Sequence, residues 1–130
     1  MNIINIMNYM VMIYSIQCLT TMNTAIFYIY NINIKMIESK IQKKITDFLK
    51  KEWYEVIKIT SSNKNGIPDL LALTGNSKHL WIEVKVEKGK LSELQKYVIK
   101  WLEQLWDIVL VPYGYEDFIK QYNQLDKTSL

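Results

Sequence analysis

Residues 36–125 predict an α/β domain around one mixed central sheet flanked by helices, in the order helix, three strands, helix, strand, helix. Three observations carry this. Apolar residues recur at helical spacing from Met36, three runs rich in β-branched and aromatic residues lie between residues 53 and 87, and a capped amphipathic helix then leads into the apolar run DIVLVP.

The first helix, Met36 to about Glu52, sets Ile37, Ile41, Ile45, Phe48 and Leu49 on one side and Lys40, Lys43, Lys44, Asp47, Lys50 and Lys51 around the other. Glu38, three residues before Ile41, falls on or at the edge of the apolar face. It either points toward the sheet or answers the helix dipole in the first turn. Trp53 to Thr60 alternates as a strand, with Tyr54, Val56 and Lys58 on one face, and Ser61 to Gly66 is a polar turn. Asp69 to Leu73 and His79 to Glu87 form a hairpin through the turn TGNSK, with His79 at its edge and no acid or hydroxyl at useful spacing. Lys88-Gly89-Lys90 is an exposed basic loop. Ser92, followed three residues later by Gln95, matches a capping box that opens a helix to about Trp106, with Leu94, Val98, Trp101, Leu102 and Leu105 on its inner side. Asp107 to Pro112 is a buried strand, Tyr115 to Tyr122 a closing helix with Phe118, Ile119 and Tyr122 inward, and 126–130 a tail.

A chain of 130 residues allows one core. Its formal charge of +3 permits nucleic-acid binding without arguing for it. All 16 basic residues are lysine, which suits phosphate contact more than base reading, although A/T-rich codon usage also accounts for the missing arginine. One cysteine, Cys18, and one histidine, His79, exclude a disulfide framework and a Cys/His zinc site. Any metal must be a hard cation on carboxylates, Mg²⁺ or Mn²⁺.

Residues 1–35 form a segment rich in Asn, Ile and Met that carries no charge before Lys35, where the charges of the chain begin. Gln17, Thr20, Thr21, Asn23 and Thr24 make it a poor membrane helix, and no basic residue precede it as in a secretory signal. Three readings stand: a start artefact upstream of Met36, a membrane or surface segment, or an extra piece of fold.

The charges most in need of explanation lie in GIPDLLALTGNSKHLWIEVK. Glu83 and Lys85 share a strand face, and Asp69 can approach Glu83 across the hairpin. Two converging carboxylates repel unless a divalent cation lies between them, and a lysine beside them reaches what that cation holds. Such a set lowers the pKa of water and stabilises charge developing on a phosphate. The bland alternative is an exposed ion pair worth little.

These residues carry a resemblance. From Glu38 to about Tyr122 the chain resembles the PD-(D/E)XK nuclease superfamily and, within it, the small stand-alone VRR-NUC (virus-type replication-repair nuclease) domains. The matching stretches are IESKIQKKITDFL with Glu38, NGIPDLLAL with Asp69, WIEVK with Glu83 and Lys85, and GKLSELQ with Gln95. The resemblance implies a restriction-endonuclease-like αβββαβ(α) core and an Mg²⁺- or Mn²⁺-dependent endonuclease. Its substrate would be branched, flapped or junction DNA in replication, repair or recombination, inside a cell or a virus-infected host. It implies Asp69, Glu83 and the Val84 carbonyl as metal ligands, Glu38 acting through the metal or its water, Lys85 orienting or helping to activate the attacking water, and Gln95 supporting the site. Residues 1–35 match nothing in the small family members. Lys64, Lys88 and Lys90 are the expected DNA contacts and a homodimer is the expected assembly, with Trp101, Trp106 and Tyr113 as interface candidates for each of which core packing is the stronger reading.

Overall fold

The computed structural model describes residues 3–75, 77–86 and 89–126, with side chains from residue 6 onward. The chain forms two units, Met1–Met36 and Ile37–Leu130. Helix α1, Ile3–Lys51, contributes to both. Its upstream part, left open from sequence between a start artefact, a membrane or surface segment and an extra piece of fold, is helical from Ile3.

In the first unit, large apolar side chains at Ile6, Met7, Tyr9 to Tyr14 and Ile26 to Tyr30 are exposed all around the helix. The serine and threonine hydroxyls of this segment and Asn31 bond to the helix's own backbone. Ser15 Oγ donates to the Val11 carbonyl, Thr20, Thr21 and Thr24 donate to carbonyls three and four residues earlier, and Asn31 Nδ2 donates to Phe27. By length and composition this helix is long and apolar enough to cross a membrane.

In the second unit, strands β1 (Glu55–Lys58), β2 (Leu70–Leu73), β3 (His79–Ile82) and β4 (Ile108–Leu110) form one sheet in the order β1-β2-β3-β4. The β1–β2 and β2–β3 pairs are antiparallel and β3–β4 is parallel, the mixed sheet that the sequence predicts. Helices α2 (Glu93–Gln104) and α3 (Tyr115–Asn123) complete it. On one face, Leu70, Ala72, Leu80, Ile82 and Val84 pack with Ile45 and Leu49 of α1 and Phe118 and Tyr122 of α3. Phe48, Phe118 and Tyr122 meet ring to ring at centroid separations of 5.2 to 5.8 Å. The alternate residues of β3 and its continuation face α2.

Several boundaries differ from the expected ones for identifiable reasons. The run from Trp53 does not begin as a strand, because Trp53 takes φ 68 and ends α1. Its N–H bonds the Lys50 carbonyl while the Tyr54 N–H bonds that of Leu49, a Schellman closure. Trp106 (φ 70) closes α2 in the same way, with its N–H on Glu103 and that of Asp107 on Leu102. Lys58 is exposed, so the expected β1 face reduces to Val56 with half-buried Tyr54. Ile37, Leu94 and Leu105 are 50%, 47% and 54% exposed rather than inward, because the sheet covers less of each helix than the apolar stripe is wide. Asp107 fixes the start of β4 by accepting the His79 N–H at 3.0 Å and the Trp81 indole N–H at 2.9 Å.

Candidate active site

The site lies where β3 runs past its partner. Beyond Ile82 the chain still pairs with the β4 side, Glu83 N–H donating to the Leu110 carbonyl and Lys85 N–H to that of Pro112. On the β2 side the ladder changes character, since the Val84 N–H donates at 2.9 Å to the Asp69 carboxylate. A side chain thus replaces a backbone acceptor, which is why β3 is shorter on that side than the apolar run His79–Glu87 predicts. Leu70 pairs with Ile82, and one further step of this register sets Asp69 opposite Glu83. The Asp69 carbonyl is held from the other flank by the Ile59 N–H at 2.8 Å.

Glu83 is an acid at 3% exposure. The Lys85 ammonium stands 2.7 Å from its Oε1, and Gln95 Nε2 donates to the same oxygen. Gln95 Oε1 accepts from the Ser92 N–H at 3.0 Å and from Lys85 Nζ at 3.3 Å, while the Gln95 N–H donates to Ser92 Oγ at 3.2 Å. The capping box of α2 and the support of the acid are therefore one hydrogen-bonded unit. Burial pushes the Glu83 carboxyl above its ordinary range, and the charges of Asp69 and Glu38 push it further. The Lys85 hydrogen bond and charge act in the opposite sense, and the net shift is upward.

Of the residues singled out from sequence, Asp69, Glu83, Lys85 and Gln95 come together. Val84 supplies the backbone between them, its N–H and C=O lying on the Asp69 edge of the strand. Half-buried Glu38, on α1, reaches Glu83 through its field. Among the described residues no three His, Cys, Asp or Glu side chains gather as a metal cage. Lys64 is exposed and lies over the Trp101 ring, Lys90 is exposed, and Lys88 falls outside the described residues. The pairing of Lys64 with Trp101 gave no sequence signal, because it depends on how the loop 61–66 folds back.

The donor set fits a hard divalent cation. Asp69, Glu83 and the Val84 carbonyl present oxygen only; burial is the main cause that raises the Glu83 pKa, and the lesser repulsion from Asp69 is what a cation between the carboxylates would relieve. Two acids and a carbonyl leave the remaining positions to water or phosphate oxygens, as hard cations prefer. Bound there, such an ion would polarise a phosphate oxygen and acidify water. The protein's own contribution is positional: Gln95 fixes Glu83 and Lys85 against each other, and Lys85 keeps an ammonium at the buried acid.

No curated protein matches the chain. A solved structure described as a VRR_NUC domain protein superposes with a TM-score of 0.56 at 20% identity, covering 70% of this chain and 88% of that one. At this identity the likeness shows the fold. The VRR-NUC domain family model matches residues 30–108, more than half of the chain, beginning inside the uncharged segment and ending at the first residue of β4. With the mixed sheet and the D…E-x-K arrangement in place, the chain belongs to the VRR-NUC domain family and carries a nuclease-fold domain.

Proposed function

We propose that this protein is an intracellular Mg²⁺- or Mn²⁺-dependent endonuclease that hydrolyses DNA phosphodiester bonds and selects branched, flapped or junction DNA by shape, serving replication, repair or recombination. The observation that supports this reading is Glu83, an acid at 3% exposure set opposite Asp69 and bonded to both Lys85 and Gln95. Burying such an acid beside another carboxylate is costly for a fold and useful for holding a cation. In this reading Asp69, Glu83 and the Val84 carbonyl hold the ion, and Lys85 orients the attacking water. Glu38 adds negative field, Gln95 positions Glu83 and Lys85, and Lys64, Lys88 and Lys90 meet phosphates. A homodimer through Trp106 and Tyr113, 78% and 47% exposed, would present two sites to a two-fold-related substrate, whereas Trp101, the third residue expected there, is half-buried.

A catalytically silent DNA-binding module on the same fold is the competing reading, and the intact Asp69, Glu83, Lys85 and Gln95 argue against it. Incubating the full chain with branched and linear DNA under Mg²⁺ or Mn²⁺, then with chelator, separates the two. Metal-dependent cleavage that Asp69→Ala or Glu83→Ala abolishes supports the enzyme, and no cleavage of any substrate sinks it. A membrane tether is a second reading for the first unit, favoured by the backbone-bonded serine and threonine hydroxyls of its helix, which carries no charge before Lys35. Fractionation of the native protein tests it, and recovery wholly in the soluble fraction removes it.

A further inference from the structure

The outer face of α2 carries more aromatic surface than a solvated helix requires. Leu94, Tyr97 and Trp101 share a face by their spacing, with Trp101, expected inward, half-buried at its edge. Leu94 and Tyr97 are 47% and 65% exposed, and Tyr97, Lys100, Trp101 and Gln104 line an open cleft of about 270 Å³. Lys64 crosses from the 61–66 loop to place its ammonium 3.4 Å from the centroid of the Trp101 ring. That loop is seated firmly, since Gly66 adopts φ +83 and a Cβ there would stand 3.1 Å from the Leu94 backbone. Glu93, the acid on this face, is paired with Lys96 at 2.7 Å, so Lys64 and Lys100 set the sign of the surface. Gln95 of the acidic site belongs to the same helix, about 9 Å along its axis from Trp101.

We propose that this shelf is a stacking subsite for an unpaired nucleotide of the substrate, with a base against exposed Tyr97, beside the Trp101 ring that Lys64 covers, and the flanking phosphates on Lys64 and Lys100. The proposal rests on the nuclease reading of the neighbouring site and names its substrate class: DNA with a single-stranded segment, such as a flap or splayed arm. Aromatic rings accept the face of any base, and lysines neutralise phosphates without reading sequence. Paired bases inside a duplex offer no free face, so the shelf discriminates against blunt duplex. A second copy of the chain is the other occupant an aromatic helix face invites. A two-fold pairing of this face would set Lys64 and Lys100 against like charges, which favours a polyanion instead.

The test is fluorescence anisotropy of the full chain in chelator, with a fluorescein-labelled oligothymidylate and a blunt duplex of equal length. Tyr97→Ala is expected to weaken oligothymidylate binding about tenfold and duplex binding by less than about twofold, while Tyr97→Phe keeps wild-type affinity. Lys64→Ala is expected to lower the salt dependence of oligothymidylate binding by about one ion. Unchanged oligothymidylate binding in Tyr97→Ala, or an equal loss on both DNAs, overturns the proposal. So does a change from dimer to monomer in sedimentation with single-strand affinity intact, which would assign the face to a second copy. No cleavage is read, so the subsite and the nuclease reading fail separately. A protein that cuts nothing yet shows the Tyr97 effect retains the subsite, and a cutting protein indifferent to Tyr97→Ala loses it.

Discussion

Replacing Gln95 by alanine removes two kinds of support at once, and their separation tests whether this side chain belongs to the site or only to the helix. Gln95 Oε1 closes the capping box on the Ser92 N–H at 3.0 Å, and Nε2 holds the buried Glu83. Half of a capping box is worth about 0.5–1 kcal/mol. A hydrogen bond to a charged group is worth about 1.5–3 kcal/mol, and the lower end applies because Glu83 keeps Lys85 at 2.7 Å. Gln95→Ala is therefore expected to cost about 2–2.5 kcal/mol in all. Ser92→Ala, which removes only the Oγ acceptor of the Gln95 N–H, should cost about 1 kcal/mol. Because the two residues bond reciprocally, the double mutant should fall short of the sum by about 0.5 kcal/mol. Urea unfolding of the three variants, followed by far-ultraviolet circular dichroism in chelator, gives these values. Metal-supported cleavage by Gln95→Ala should drop about tenfold or more while Ser92→Ala stays near wild type. Equal stability losses and equal activities in the two single mutants would refute the reasoning and leave Gln95 as a cap alone.

Further expectations concern charge and backbone. Glu83→Gln should be more stable than the wild type at neutral pH in chelator. The raised Glu83 pKa means that the fold prefers the neutral form, a contribution fully present below the ordinary 4.5 and lost as pH rises through the higher folded value. Thermal unfolding from pH 4 to 8 should show the gap between variant and wild type widening as pH rises, and a constant gap would contradict the shift. Mg²⁺ or Mn²⁺ should raise the melting temperature of the wild type but not of Asp69→Ala, since a ligand that binds only the folded state stabilises it. Equal rises in both would place the ion elsewhere. Gly66→Ala should cost about 1–3 kcal/mol from its left-handed backbone and the 3.1 Å approach to Leu94. Urea unfolding measures it, and a neutral effect would mean that the loop is not seated on α2. Trp53→Gly should add about 1 kcal/mol, because Trp53 is 96% exposed and holds φ 68 at a helix end where glycine carries no such strain. A loss of stability would show that the indole has a packing role.

The grouping of Asp69, Glu83 and Lys85 was legible because its logic is local. Alternation along one strand puts Glu83 and Lys85 on one face, and a tight hairpin brings Asp69 opposite, so spacing and turn residues suffice. The capping pattern at Ser92 and Gln95 was equally readable, although its bond to Glu83 was not, since that depends on where α2 docks. Strand and helix ends were misplaced where a tryptophan adopts a conformation that its bulk opposes, at Trp53 and Trp106. Helical periodicity placed Val98 and Leu102 inside α2 correctly and Leu94 and Leu105 wrongly. A stripe records which side is apolar, not how far a four-stranded sheet extends over it. The upstream part of α1 had no periodic signal because its apolar residues surround the helix. The union of Lys64 with Trp101 depends on a loop closed by the left-handed Gly66, which no pairwise spacing reveals.

The most direct test of the central claim is a cleavage assay of the full chain on a panel of flapped, branched, single-stranded and blunt duplex DNA. It is run with Mg²⁺, with Mn²⁺ and with excess chelator, beside Asp69→Asn and Glu83→Gln. The account predicts endonucleolytic products that require metal, vanish with chelator and are absent in both variants while their folds persist. Undiminished cleavage in either variant, or no cleavage of any DNA with either metal, would contradict it.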